Sequence, residues 1–125
     1  MKYQTDRSRA DGLGSAKEGT DHWWQQRVTA VALIPLGVLF IFPLATIMGD
    51  GHAAVLSHFG HPLNAIIAGL FLLVVFNHLR LGLQVVIEDY VHGAMFTIMM
   101  MANTLFCGAF AFAGIFAVAK IAFQA

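Results

Sequence analysis

The stretch FNHLRLGLQVVIEDYVHG, from Phe76 to Gly93, concentrates polar side chains near the middle of a very apolar chain. It holds two His, one Arg, one Glu, one Asp and one Tyr, whereas its flanks carry almost no charge. Of all 125 residues, 58% are hydrophobic and 11% are charged, compared with about 45–50% and about 25% in soluble domains. The stretch therefore raises the question of which chemistry requires polar groups inside so apolar a sequence.

Three long runs of the chain contain no Asp, Glu, Lys or Arg. They cover Val28–Gly49, Gly51–Leu79 and Tyr90–Ala119. A membrane-spanning helix needs about 20 mostly apolar residues, and none of these runs has the polar stripe of a soluble helix. The sequence therefore predicts an all-α membrane protein with three transmembrane helices, at Thr29–Met48, Pro62–Glu88 and Gly93–Lys120.

The distribution of charge predicts how the chain is divided and oriented. A polar segment of residues 1–26 precedes a transmembrane domain of residues 27–125, whose first extramembrane loop, residues 50–61, has no Lys or Arg. The basic residues before the first span are Lys2, Arg7, Arg9, Lys17 and Arg27. Because Lys and Arg are enriched on the cytoplasmic side of membrane helices, we expect a cytoplasmic N-terminus and a cytoplasmic end for the second span.

The same segment bears on the compartment and the partners. Its acidic residues, among them Asp6 and Asp11, are not typical of a mitochondrial transit peptide, which favours a multi-pass protein of the bacterial inner membrane. The formal net charge is zero, so nothing indicates a nucleic-acid partner.

His78 is the ionisable residue that lies deepest in the predicted second span. Such residues are rare at membrane depth and are usually functional. Three interpretations therefore stay open: a haem ligand, a proton-relay group, and a His bonded to a neighbouring helix. Gly82 is four residues further and shares the His78 face, where the missing side chain leaves room for a flat ligand. A single His supplies one axial ligand, and a haem held by two His would require a second chain or an unexpected fold-back of this one.

The polar face continues towards the end of the second span. At about 100° and about 1.5 Å per residue, Asp89 lies in nearly the same direction as His78 and about 16 Å further along the helix. Tyr90 flanks it, and a phenol beside a carboxylate is able to bind a polar head group at the membrane interface.

Other residues of the spans predict contacts between helices. Arg80 points away from His78 and is expected to reach the cytoplasmic surface or to pair with a neighbouring protein of the membrane. Asn77 and Gln84 are expected to form interhelical hydrogen bonds. Small residues spaced by four predict a close approach of the third span to a neighbour: Ala109, Ala113 and Ala117.

The residues just described resemble a known family. His78, Gly82 and the pair Asp89–Tyr90 match the His-x3-Gly-x6-Asp-Tyr pattern of the small hydrophobic membrane anchor of succinate dehydrogenase. The segment HWWQQRVTAVAL, from His22 to Leu33, resembles the N-terminal segment of that family, and GLGSAKEGT before it resembles the alphaproteobacterial members. The enzyme has a second, sister anchor, whose Ser-x-x-His-Arg-x-Thr-Gly segment is absent here, which favours the small hydrophobic anchor.

The resemblance implies a non-catalytic component of a succinate:quinone oxidoreductase. Members of the family form a helical bundle with a second anchor subunit and associate with an iron–sulfur and a flavoprotein subunit, so that electrons from succinate reduce ubiquinone. A b-type haem lies between the two anchors. By this resemblance His78 is an axial ligand of the haem iron, Gly82 packs on the haem, Arg27 contacts a propionate, and Tyr90 and Asp89 belong to the quinone site.

Two other functions stay open at this point. A fumarate reductase anchor would run the same quinone chemistry in reverse. A small ion or proton transporter would use His78 and Asp89 as a relay, although the internal repeats and broken helices of many transporters are not evident.

Overall fold

The computed structural model describes Thr5, Arg7 and residues 19–124. Residues 19–124 form four helices, which we number α1 (Gly19–Ile47), α2 (His52–Gly60), α3 (Pro62–Tyr90) and α4 (Ala94–Gln124). The predicted polar segment of residues 1–26 lies largely outside the described residues.

Three of these helices are long and apolar enough to cross a membrane. The candidate spans are Thr20–Ile47, Pro62–Tyr90 and Ala94–Gln124, with lengths of 28, 29 and 31 residues and a mean hydropathy of 2.0 or more in their most apolar windows. At about 1.5 Å per residue each exceeds the hydrocarbon core of about 30 Å. The predicted all-α fold with three spans is confirmed, by length and composition.

One predicted boundary is wrong, and one predicted loop contains a helix. Helix α1 begins at Gly19 rather than at Thr29, because residues 20–28 contain neither Gly nor Pro and Asp21 in the first turn suits the positive end of the helix dipole. The predicted loop of residues 50–61 contains the short helix α2. Hydropathy marks the part of a helix that suits the bilayer, and a helix continues beyond it wherever the backbone is not interrupted.

Local signals fix both ends of α3. The His61 side chain accepts a hydrogen bond from the Leu63 N–H at 3.3 Å, and Pro62 occupies the first helical position, where its missing N–H costs nothing. At the other end the Val91 N–H donates to the Ile87 carbonyl at 2.9 Å. Gly93 then adopts a φ of +70°, which a residue without Cβ tolerates, and the chain reverses into α4.

Helix α3 lies at the centre, with α1 packed on one side and α4 on the other. Phe40 of α1 stacks on Phe71 of α3, with 4.5 Å between ring centroids. Between α3 and α4, a Cβ built on Gly114 would lie 3.0 Å from Leu72 Cδ1, so the two helices approach closely at this glycine.

Helix α4 packs on α3 through only one of its small faces. Asn103 and Cys107 are its buried residues, and Gly114 continues the same face. The alanines spaced by four are exposed within this chain, so their close approach to a neighbour stays a prediction: Ala109, Ala113 and Ala117. Small residues permit a close approach, but the steric fit to α3 decides which of the small faces is used.

The chain encloses little core of its own. Within residues 19–124 the buried apolar side chains are Phe59, Ala68, Leu81, Ile87 and Cys107, and the apolar windows of the three spans are 0%, 11% and 6% buried. So large an exposed apolar surface is typical of contact with lipid or with further membrane helices.

Candidate functional site

His78 of α3 faces α1 and contacts two of its polar side chains. Its Nδ1 lies 2.9 Å from the Thr29 hydroxyl oxygen, and its Nε2 lies 3.5 Å from the Gln26 amide nitrogen. Gln26 and Thr29 are three residues apart and therefore share one face of α1. The imidazole is half-buried and has a different neighbour at each ring nitrogen.

Gly82 lies beside the same site. A Cβ built on Gly82 would meet the Gln26 amide nitrogen at 3.5 Å, an ordinary van der Waals distance. The Gln26 amide therefore borders the space that the missing side chain leaves beside His78. The predicted shared face of His78 and Gly82 is confirmed, since Gln26 contacts both.

Two buried polar atoms on α1, one of them in a residue of this contact, have no hydrogen-bond partner within the described part of the chain. They are Gln26 Oε1 and His22 Nε2, which belong to residues one turn apart on α1. A polar atom left unpaired away from water costs about 1–3 kcal/mol. The site therefore has hydrogen-bonding capacity that the chain does not use.

Arg27 lies next to Gln26 in sequence but points elsewhere. Its guanidinium carbon is 5.1 Å from the Trp23 ring centroid, in a cation–π contact on an exposed surface of α1. Within the described residues the structure does not bring Arg27 to His78.

Asp89 and Tyr90 end α3 and are exposed. Tyr90 retains 80% of its accessible surface, and neither side chain forms a hydrogen bond with another residue in the range 19–124. At about 1.5 Å per residue they lie about 16 Å along α3 from His78. The predicted residues thus form two separate groups, one inside the predicted span and one at its end.

The polar residues on the other side of α3 serve contacts that the sequence did not reveal. The Arg80 guanidinium donates to Asn77 Oδ1 at 3.3 Å, and Gln84 donates to Glu88 at 2.9 Å. Asn77 and Gln84 thus bond within α3, and an interhelical bond from either one stays a prediction. On this side of α3 an interhelical bond comes from Asn103 of α4, whose amide donates to the Arg80 carbonyl at 2.9 Å.

A large groove lies away from His78. It has a volume of about 600 Å³, runs between α3 and α4, and is lined by apolar residues such as Phe76, Phe106 and Phe110. A planar cofactor beside His78 would instead require the Gln26 side chain to move, with α1 or a neighbouring chain forming the opposite wall. In the described ranges no three His, Cys, Asp or Glu side chains gather closely enough to hold a metal ion.

Sequence reasoning missed Gln26 and Thr29 as parts of the site. The spacing of His22, Gln26 and Thr29 at i, i+4 and i+7 was a usable signal, because these positions share one helix face. The signal was lost when the helix was predicted to start at Thr29.

Comparison with known proteins supports a family assignment. Residues 1–119 match the family of succinate dehydrogenase/fumarate reductase transmembrane subunits. A succinate dehydrogenase hydrophobic membrane anchor subunit from Paracoccus denitrificans is 37% identical over 121 residues, which cover 97% of this chain and 94% of that protein. A relative of the same description from Rickettsia conorii is 32% identical over 84% of this chain and 85% of its own length.

A further relative, the succinate dehydrogenase membrane anchor subunit of Reclinomonas americana, is 34% identical over 62% of this chain and 67% of its own length. No solved structure matches the chain significantly. The coverage and the three membrane-spanning helices agree with each other, and the chain belongs to the succinate dehydrogenase/fumarate reductase transmembrane subunit family.

Proposed function

We propose that this chain is a non-catalytic membrane anchor of a succinate:quinone oxidoreductase, and that it contributes a ligand to a b-type haem and side chains to a ubiquinone site. The observation that carries the proposal is the environment of His78, an imidazole in the middle of a membrane-spanning helix with one nitrogen bonded to Thr29 and the other facing the space beside Gly82. The names of the relatives, all succinate dehydrogenase anchor subunits, support the same enzyme.

The residues around His78 fit a haem. Imidazole is a common axial ligand of haem iron, Gly82 offers a surface without a side chain, and the unpaired Gln26 Oε1 marks a contact that the chain alone does not complete. A bound haem would supply a one-electron redox centre within the membrane. His78 would hold the iron, Gly82 would let the ring plane approach α3, and the Gln26 amide, which lies 3.5 Å from His78 Nε2 in this structure, would move away from that nitrogen.

Arg27 would hold a haem propionate in this proposal. Its guanidinium is exposed and its contact with Trp23 is a surface cation–π pair, worth about 0.5–1 kcal/mol. A charge-assisted bond to a carboxylate is stronger than a neutral one, so Arg27 would exchange Trp23 for a propionate at low cost.

Tyr90 and Asp89 would form this chain's part of the quinone site. The Tyr90 hydroxyl is exposed at the end of α3, where a lipid-soluble quinone would meet an electron donor in the cytoplasm. A phenol is neutral near pH 7 and donates one hydrogen bond, which suits a quinone carbonyl. Quinone reduction consumes two protons, and a carboxylate in contact with water is able to relay them.

The exposed apolar surface supports the proposed partners and location. The spans are almost wholly unburied within the chain, so we infer that α1 and α3 complete a bundle with a second anchor subunit, which supplies the second axial ligand, while the rest of the surface meets lipid. The iron–sulfur and flavoprotein subunits would bind at the Tyr90 end. We place the complex in the bacterial inner membrane with the N-terminus of this chain in the cytoplasm.

The decisive experiment is purification of the complex through a tag on this chain, followed by a dithionite-reduced absorbance spectrum and identification of the other subunits by mass spectrometry. We expect the spectrum of a b-type haem, together with a flavoprotein, an iron–sulfur protein and a second anchor. A chain purified alone and free of haem would support the transporter instead. Turnover with succinate and quinol, measured in both directions, separates a succinate dehydrogenase from a fumarate reductase.

A further inference from the structure

We propose that Thr29 is a positioning residue that selects the tautomer of His78, so that the proton lies on Nδ1 and the lone pair on Nε2 faces the space beside Gly82. This inference rests on the proposed function, in which His78 Nε2 is the atom that binds iron. Thr29 itself would touch neither the haem nor the quinone.

The bonds of the Thr29 hydroxyl determine the direction of its contact with His78. The hydroxyl carries a single proton, and two backbone carbonyls of its own helix compete for it, Gln25 O at 2.8 Å and Gln26 O at 3.1 Å. With that proton donated to the backbone, the hydroxyl oxygen meets His78 Nδ1 at 2.9 Å with lone pairs alone. The bond therefore runs from the His78 Nδ1–H to the Thr29 oxygen.

The other ring nitrogen is compatible with the same tautomer. Its neighbour at 3.5 Å is the side-chain amide of Gln26, whose NH2 group donates to an Nε2 that carries a lone pair. The direction of the Thr29 bond, and not this longer contact, carries the inference.

The tautomer decides whether His78 is able to bind a metal through Nε2. A neutral imidazole binds through the nitrogen without a proton, and a hydrogen bond at the other nitrogen orients the ring and raises the basicity of the ligand. A more basic ligand stabilises ferric iron more than ferrous iron. Loss of the Thr29 acceptor would therefore weaken haem binding and raise the midpoint potential of the haem.

Four variants of this chain, each purified in the intact complex, test the inference. Thr29→Val keeps the branched shape and removes the acceptor, and Thr29→Ser restores it. Thr46→Val is the matched control, because Thr46 is also in α1 and also donates to a backbone carbonyl, Pro43 O at 2.7 Å. Thr46 is exposed and forms no hydrogen bond with a His among the described residues. His78→Ala reports whether the haem depends on this ligand.

The readouts are haem per complex and the midpoint potential from a redox titration. We expect Thr29→Val to lower haem affinity by about 10- to 100-fold, the usual effect of removing such an outer partner. The midpoint potential should rise by about 59 mV for each tenfold decrease in the ratio of the affinity for ferric haem to the affinity for ferrous haem. Thr29→Ser and Thr46→Val should remain close to the unmodified complex in both readouts.

The outcomes separate this inference from the proposed function. An unmodified complex without haem would overturn both. A haem that is lost in His78→Ala but keeps its affinity and potential in Thr29→Val would overturn the role of Thr29 and leave the proposed function standing. Failure of Thr29→Ser to restore the potential, or failure of both Thr29 variants to retain the other subunits, would make Thr29 a packing residue and overturn the inference as well.

Discussion

Replacement of Tyr90 by Phe separates binding of quinone from stability of the fold. Tyr90 is 80% exposed at the end of α3, and its hydroxyl forms no hydrogen bond within residues 19–124. Removal of one oxygen therefore breaks no contact inside the chain, and the free energy of unfolding should change by less than about 0.5 kcal/mol, as for other surface substitutions. Any loss of activity in the variant therefore reflects a weaker contact with a bound partner or ligand.

The expected loss follows from a single hydrogen bond. A neutral bond contributes about 0.5–1.5 kcal/mol net, which corresponds to about a twofold to thirteenfold change in affinity. We expect Tyr90→Phe to raise the Michaelis constant for quinone by a factor in this range. Oxidation of succinate by an artificial electron acceptor should proceed at the unmodified rate, because that reaction does not require the quinone site.

The assay compares succinate-to-quinone turnover over a series of quinone concentrations with turnover to the artificial acceptor, on complex of equal subunit content. The other tyrosine of the chain, Tyr3, provides a control for loss of a phenol elsewhere, and Tyr3→Phe should leave both activities unchanged. If Tyr90→Phe reduces quinone with the unmodified Michaelis constant and rate, Tyr90 does not bind quinone and the end of α3 has a different role.

Four further outcomes are expected. His78→Ala should remove the reduced-haem absorbance bands, and full haem content in this variant would refute the ligand assignment. Arg27→Leu should reduce haem content more than Lys17→Leu does, because Lys17 shares the charge but not the proposed propionate contact; equal losses would leave Arg27 with a topogenic role. Asp89→Asn should slow quinone reduction most at high pH, where protons are scarce, and a pH–rate profile parallel to that of the unmodified complex would exclude a proton relay. Asn103→Leu removes the bond to the Arg80 carbonyl and should destabilise the α3–α4 contact by about 0.6 kcal/mol and at most about 1.7 kcal/mol, measured by denaturant titration in detergent; no change in the midpoint would show that lipid or water replaces this bond.

The sequence by itself determined the number and approximate place of the membrane spans. Hydropathy is a sum over about 20 consecutive residues. The three charge-free runs therefore reveal the spans without any information about which helices lie beside them. The common face of His78 and Gly82 was equally predictable, because residues four apart on a helix always lie near each other. Both conclusions depend on a single helix at a time.

Helix boundaries were less predictable, because the hydropathy signal ends where the bilayer ends. Helix α1 continues back to Gly19 through polar residues, and α2 begins directly after two glycines of positive φ, Gly49 and Gly51. The missed start of α1 also concealed Gln26, and with it the contact with His78 beside Gly82.

The tertiary structure alone decided which faces meet. A helix that is apolar on all sides has no polar stripe to mark its buried side, so Asn103, Cys107 and Gly114 could not be distinguished from the exposed alanines of α4 until α3 was placed against it. The pairing of His78 with Thr29 likewise joins residues that lie far apart in the chain. Such contacts depend on the steric fit and the relative register of two helices. The pattern of residues within either helix alone does not determine them.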